Sequence, residues 1–125
     1  MQNYFYVAVG GALGSLTRYW VTNVIAIRIG TKLPYGTFLV NMSACLILGF
    51  SLALLDSRPE VHPAWRFLIP IGFIGAYSTF STFEWETFAH LELGAFLLAG
   101  LYVGLSCILG LAAVWCGVTL ARVCS

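Results

Sequence analysis

Charged side chains are scarce in this sequence. Asp, Glu, Lys and Arg make up 9% of its 125 residues, where ordinary soluble domains hold about 25%. That scarcity excludes a conventional soluble domain, and a net charge of +1 leaves no basic stripe for a nucleic acid to follow. No carboxylate precedes Asp56. The first apolar run therefore lacks the embedded acid that a small proton-coupled drug exporter, another four-helix class, typically needs. The cysteines (Cys45, Cys107, Cys116, Cys124) form no C-x-x-C and no metal spacing, so they read as small packing residues. Both histidines, His62 and His90, fall in polar hinges without a nucleophile or metal partner, which argues against a membrane enzyme. No carbonyl-rich TVGYG run is present. The N-terminal MQNYFYVAVGG has no basic region of the kind that opens a signal peptide.

What is present is apolar length. Hydrophobic residues make up 60% of the chain and the mean hydropathy is +0.91. A helix needs roughly 20 apolar residues to cross a bilayer. Four runs qualify: Tyr4 to Ile27, Leu33 to Leu55, Trp65 to about Phe83, and Leu93 to Ala121. Between them lie RIGTKLP, the stretch Asp56 to Pro63, and EWETFAHLE from Glu84 to Glu92, with Pro34, Pro59 and Pro63 marking helix boundaries. The expected fold is an all-α membrane protein: one domain over residues 1–125, built of four transmembrane helices.

Lys and Arg in short loops normally set orientation. Here Arg58, Arg66 and Arg122 fall on one side, and Arg28 and Lys32 on the other. So small a bias leaves both a single orientation and insertion both ways round open. Gly10 with Gly14, and Gly100 with Gly104, have the spacing that lets helix backbones approach closely. Four helices enclose little interior of their own, which favours a homodimer with its lumen between subunits.

Polar residues at membrane depth carry the functional signal. Arg18 either snorkels to the interface or faces a water-filled vestibule. Asn41 either packs against a neighbouring helix or offers its amide to a permeating ion. The third run contains GFIGAYSTFSTF, Gly72 to Phe83. Pro70, Gly72 and Gly75 weaken the helix there, and the hydroxyls compete for its backbone bonds. A break near Gly75 to Ser78 is expected, with Phe80 and Phe83 sharing one helical face beyond it. The alternatives are a kink whose hydroxyls bond back to their own helix, or an ion site at mid-membrane. Hydrogen-bond donors and the positive edges of phenyl rings suit a small anion, whereas carboxylate or carbonyl linings suit cations.

Three motifs in order, GGALGSLTRY (Gly10 to Tyr19), GTFLVN (Gly36 to Asn41) and GFIGAYSTFSTFEWE (Gly72 to Glu86), resemble the Fluc, or CrcB-like, fluoride channels over the whole chain. The resemblance implies a passive fluoride channel in the cell inner membrane that relieves fluoride toxicity without catalysis. It further implies an antiparallel, dual-topology homodimer with two pores and a central structural Na+. By that resemblance Phe80, Phe83 and Asn41 meet fluoride, and Thr37, Ser81, Thr82, Tyr102 and Ser106 continue a polar track. Glu86 would sit near a pore mouth and Arg18 in a vestibule. The backbone carbonyls of Gly75 and Ser78 from both subunits would hold the sodium, with the glycines breaking the helix. Two departures stand out. The family more often reads G-G-x-T-T-F-S-T-F where this chain has Gly75-Ala76-Tyr77-Ser78-Thr79. A polar position at the far end of the track is Gly110 here. A non-conducting structural subunit is the remaining rival, and it has no need of aligned hydroxyls and rings beside a broken helix.

Overall fold

The computed structural model describes residues 1–125 and is all-helical. Helix α1 covers Gln2–Arg28 and α2 covers Tyr35–Asp56. The third pass is composite. A short α3 (Ala64–Arg66) leads into a π-helical stretch (Phe67–Ile74), then α4 (Gly75–Tyr77), then an extended pair, then α5 (Phe80–Glu92). Helix α6 covers Phe96–Cys124. The connectors are short, so successive passes run back and forth.

α2 and α6 are each long and apolar enough to cross a membrane. Only 22% and 17% of their apolar windows are buried, so neither is the covered core helix of a soluble domain. Tyr19, Trp20, Leu97, Ile108, Leu111 and Trp115 all face outward. A surface this apolar needs lipid or another chain against it. The polar groups of α1 are compatible with that solvent, because Ser15, Thr17 and Thr22 donate back to Gly11, Leu13 and Arg18 carbonyls. No buried side-chain polar atom lacks a partner.

Two backbone-on-backbone seams hold the passes together. In the first, Gly10 and Gly14 of α1 lie on the π-helical stretch. A Cβ at Gly10 would fall on the Leu68 carbonyl oxygen and 2.9 Å from the Phe73 nitrogen. Gly72 answers from the other side, where a Cβ would lie 3.2 Å from the Gly10 Cα. This glycine pair therefore serves packing within the chain. The Gly100–Gly104 pair, by contrast, has nothing else of the chain within 4 Å. The second seam joins α2 to α6 through Gly49 and Gly117, neither of which belongs to a spaced glycine pair. A Cβ on Gly117 would strike the Leu46 carbonyl oxygen, and one on Gly49 the Val114 carbonyl oxygen. Between the seams Val40, Ala44, Ile74 and Tyr77 form the buried core, with Val21, Leu48, Ile69 and Phe73 around it.

Two expectations need correction. Gly72 and Gly75 do not break the third helix, since Gly75 keeps right-handed helical angles (φ −58°, ψ −34°). Pro70, which has no N–H to donate, is instead absorbed by the wider π-helical register, and the helix runs on to Tyr77. The break falls at Ser78 and Thr79, both extended (ψ 159° and 117°). Nor is Glu84 to Glu92 a hinge. A fresh helix starts at Phe80, capped by Thr79, whose hydroxyl oxygen accepts from the Thr82 N–H at 3.3 Å. It ends at Gly94, whose φ of +76° lets the chain turn into α6. At the opposite end of the bundle Arg66 pairs with Asp56 at 2.6 Å, both well exposed. Such a pair contributes about 0–1 kcal/mol.

Candidate functional site

The interruption at Ser78–Thr79 strips the backbone of its helical partners, and a side chain from α2 replaces some of them. The Thr79 N–H donates to Asn41 Oδ1 at 2.9 Å, and Asn41 Nδ2 donates to the Thr79 carbonyl at 3.0 Å. This two-point clasp fixes the amide orientation, because only one assignment of its oxygen and nitrogen meets both a backbone donor and a backbone acceptor. It also leaves Asn41 its second N–H. Ser78 is tied back to α4: its N–H and its hydroxyl both donate to the Ile74 carbonyl at 3.0 Å. Tyr77 is fixed by its hydroxyl, 2.9 Å from Ser43 Oγ, and by stacking on Phe73.

Beyond the break the first turn of α5 presents its rings. Phe83 is buried and meets the Tyr102 ring edge to face at 4.9 Å. Phe80 lies 6.0 Å from Phe83 but is 74% exposed, so it stands at the outer rim. A cavity of about 280 Å³ is lined by Asn41, Ser78, Thr79, Phe80, Phe83 and Ser106, with Met42, Cys45 and Cys107 completing its wall. Asn41, Phe80, Phe83 and Ser106 are thus brought together.

The same face continues toward the Thr31 end of the bundle by helical repeats: Thr37 precedes Asn41 by four residues on α2, and Tyr102 precedes Ser106 by four on α6. The Tyr102 hydroxyl donates to Glu86 Oε1 at 3.4 Å. A second cavity, about 140 Å³, contains Thr37 and Glu86 together with Thr22, Thr31 and Pro34. Thr37 and Glu86 line the second cavity, and Tyr102 links Glu86 to Phe83 in the wall of the first.

Other residues fall elsewhere. Ser81 and Thr82 are exposed and line neither cavity within a single chain. Arg18 is half-buried on α1, away from both cavities, and its side chain makes no ion pair. At Gly110 an added Cβ would lie 3.5 Å from both Cys45 Sγ and Met42 Cε. The missing polar side chain there is matched by close approach of α2, and the line of hydroxyls on α6 ends at Ser106. Thr79 reads in the sequence as part of a hydroxyl track with Thr82, and a Thr directly before a helix start is also a recognisable cap.

The ends of the broken helix leave oxygens without protein partners. With the Thr79 N–H taken by Asn41, no backbone donor reaches the carbonyls of Gly75 or Ser78. Gly75 lies on the exposed face. Neutral carbonyl oxygens suit a hard cation, and no cluster of His, Cys, Asp or Glu competes for that role. The residues present fit a monovalent cation bound by backbone oxygens.

Comparison with known sequences decides the family. The profile described as "CrcB-like protein, Camphor Resistance (CrcB)" matches residues 5–118. The chain belongs to the CrcB-like family. Among its relatives, a protein of Acidobacterium capsulatum named "Fluoride-specific ion channel FluC" is 50% identical over 121 residues, covering 97% of each chain. Proteins of the same name from Solibacter usitatus and Flavobacterium psychrophilum are 45% and 40% identical, over 97% and 98% of this chain and 99% and 98% of their own lengths. The match embraces all four helical passes, so the CrcB-like assignment covers the broken third pass and the residues clasped to it.

Proposed function

We propose that this protein is a passive fluoride channel of the cell inner membrane. The observation that carries the reading is the Asn41–Thr79 clasp. It holds a broken helix open beside a cavity lined by two phenyl rings, a spare amide N–H and hydroxyls. Such donors attract a small anion without a fixed positive charge that would trap it. Near-full-length identity to proteins named fluoride-specific channels supports fluoride as that anion.

Each single chain leaves Phe80, Ser81 and Thr82 facing outward. A homodimer covers these surfaces. In an antiparallel pair, two equivalent pores arise by symmetry, and the nearly even Lys and Arg count agrees with insertion in both orientations. The Gly75 and Ser78 carbonyls of both subunits would hold a structural Na+, which would pin the two broken helices together. Arg18 serves an entry vestibule by adding positive potential, and Glu86 stands at a mouth. Neutral HF enters a cell from acidic surroundings and dissociates inside. The channel lets the membrane potential drive the trapped anion out.

The test is fluoride release from liposomes holding the purified protein, with chloride release as control. Fast fluoride release without chloride is expected. Phe80→Ile, which keeps bulk but removes the ring edge, should lower release at least about tenfold, a barrier change of about 1.4 kcal/mol. No release of either ion from folded protein would sink the proposal. Tyr102→Phe keeps the contact with Phe83 and removes a long hydrogen bond of 3.4 Å to Glu86, together with the hydroxyl's contact with Thr37. Its release rate should fall by less than about fivefold, in keeping with about 1 kcal/mol for such a bond.

A further inference from the structure

At the opposite end of the bundle from Glu86, the last turns of α2 and the start of the third pass enclose a groove of about 340 Å³. Ile47, Phe50, Leu54, Leu55, Trp65 and Ile69 give it apolar walls. Its one hydroxyl, on Ser51, donates to the Leu48 carbonyl at 3.1 Å and has no proton left to offer. A single charged group stands at the rim. Arg58 sits in the tight turn closed by the Val61 N–H on the Arg58 carbonyl at 3.1 Å. Its guanidinium has no ion pair, whereas neighbouring Arg66 is engaged by Asp56. Trp65 is 48% exposed in the same wall, as a residue at headgroup depth should be.

We infer that this groove binds an anionic phospholipid, with an acyl chain along α2 and the phosphate on Arg58. From Ile47 to Leu55 the wall runs about 12 Å along the helix, enough to hold the upper part of a chain. A free cation over an apolar slot is complementary to a molecule that is anionic at one end and apolar at the other. A zwitterionic lipid brings the same chains but less net charge to Arg58. One Arg near the surface then favours the anionic lipid about fivefold. This inference does not depend on what the channel conducts.

The experiment is native mass spectrometry of the full chain from a neutral detergent, with added phosphatidylglycerol or phosphatidylcholine of identical chains. The wild type and Arg122→Gln, a basic residue at the same membrane face, should retain phosphatidylglycerol about fivefold over phosphatidylcholine. Arg58→Gln should lose that preference, and Leu54→Trp, which fills the slot, should retain neither lipid. Should Leu54→Trp fail to fold, brominated-chain phosphatidylglycerol should quench Trp65 in a chain carrying Trp20→Phe, Trp85→Phe and Trp115→Phe, since those three tryptophans are exposed elsewhere. Adding Arg58→Gln should weaken that quenching about fivefold. Equal retention of both lipids by the wild type overturns the inference. So does an equal loss in Arg122→Gln, undiminished binding to Leu54→Trp, or quenching of Trp65 that Arg58→Gln leaves unchanged. Absence of retained lipid in every form also overturns it, as would follow if a second copy of the chain filled the groove.

Discussion

Replacing Gly117 by alanine destabilises the chain by about 2 kcal/mol or more, whereas the same change at Gly100 stabilises it by up to about 1 kcal/mol. Both glycines are interior to α6, where alanine is the better helix former by about 0.5–1 kcal/mol. Propensity alone therefore predicts stabilisation at both. The surroundings reverse the sign at Gly117. A methyl there would run into the Leu46 carbonyl oxygen and come within 2.8 Å of the Phe50 nitrogen. Both atoms are backbone, so no rotamer change relieves the clash and α6 must move away from α2. That contact is the most extensive between any two helices of the chain, and displacing it thins the dispersion contacts along the whole seam. At Gly100 nothing lies within 4 Å, so the helix gains and nothing is lost. Thermal melting in a mild detergent, scored by recovery of the folded species on size exclusion, reads both changes. Equal melting temperatures for the two variants would refute the α2–α6 seam. A lowered melting temperature at Gly100 would instead mark that face as covered by a second chain.

This seam also shows where the sequence becomes hard to read. Spaced glycines advertise a close-packing helix face, and Gly10 with Gly14 do form one. Their partner is the chain's own third pass, which spacing alone cannot tell from a second subunit. Gly49 and Gly117 do sit in small-residue spacings, Gly49 with Ala53 and Gly117 with Ala113 and Ala121, but such spacing does not say which helix is the partner. Apolar length is robust: each of the four runs contains a helical pass, because the cost of exposing backbone in lipid leaves few alternatives. The break in the third pass was legible only approximately. Glycine and proline give the right neighbourhood, but the helix survives them by widening, and it ends where Asn41, far away in sequence, outcompetes Gly75 for the Thr79 N–H. Glu84 to Glu92 reads as a hinge by polarity. It folds as helix because the polar groups of Thr87 and His90 bond to the Phe83 and Glu86 carbonyls one turn back. The candidate site was legible as types of residue, and its membership depended on helix faces. Thr37 with Asn41, and Tyr102 with Ser106, align because both pairs are four apart. Ser81 and Thr82 line neither cavity because they lie about 200° and 100° round α5 from Phe83.

Asn41→Leu should cost on the order of 2–6 kcal/mol, since it strands two backbone groups of Thr79 at about 1–3 kcal/mol each. Leucine has the same side-chain branching as asparagine with bulkier ends, so no cavity is left and lost packing is minor. Thr79 is only 6% exposed, and water is poorly placed to take over from the amide. Asn41→Asp separates the two tasks assigned to this side chain. A carboxylate still accepts from the Thr79 N–H but has nothing to donate to the Thr79 carbonyl, so one of the two bonds survives. The loss in stability should therefore be clearly smaller than in Asn41→Leu. Its negative charge faces the cavity shared with Phe80, Phe83 and Ser106, where it opposes an anion directly. A unit charge about 4 Å away costs an anion about 4 kcal/mol at an effective dielectric of 20, which corresponds to a loss of flux near a thousandfold. Melting temperature and liposome fluoride release, measured on the same preparations, should thus rank the two variants in opposite order of severity relative to their folding. If Asn41→Asp folds and releases fluoride at the wild-type rate, Asn41 is a structural clasp alone and the anion takes another route past the break.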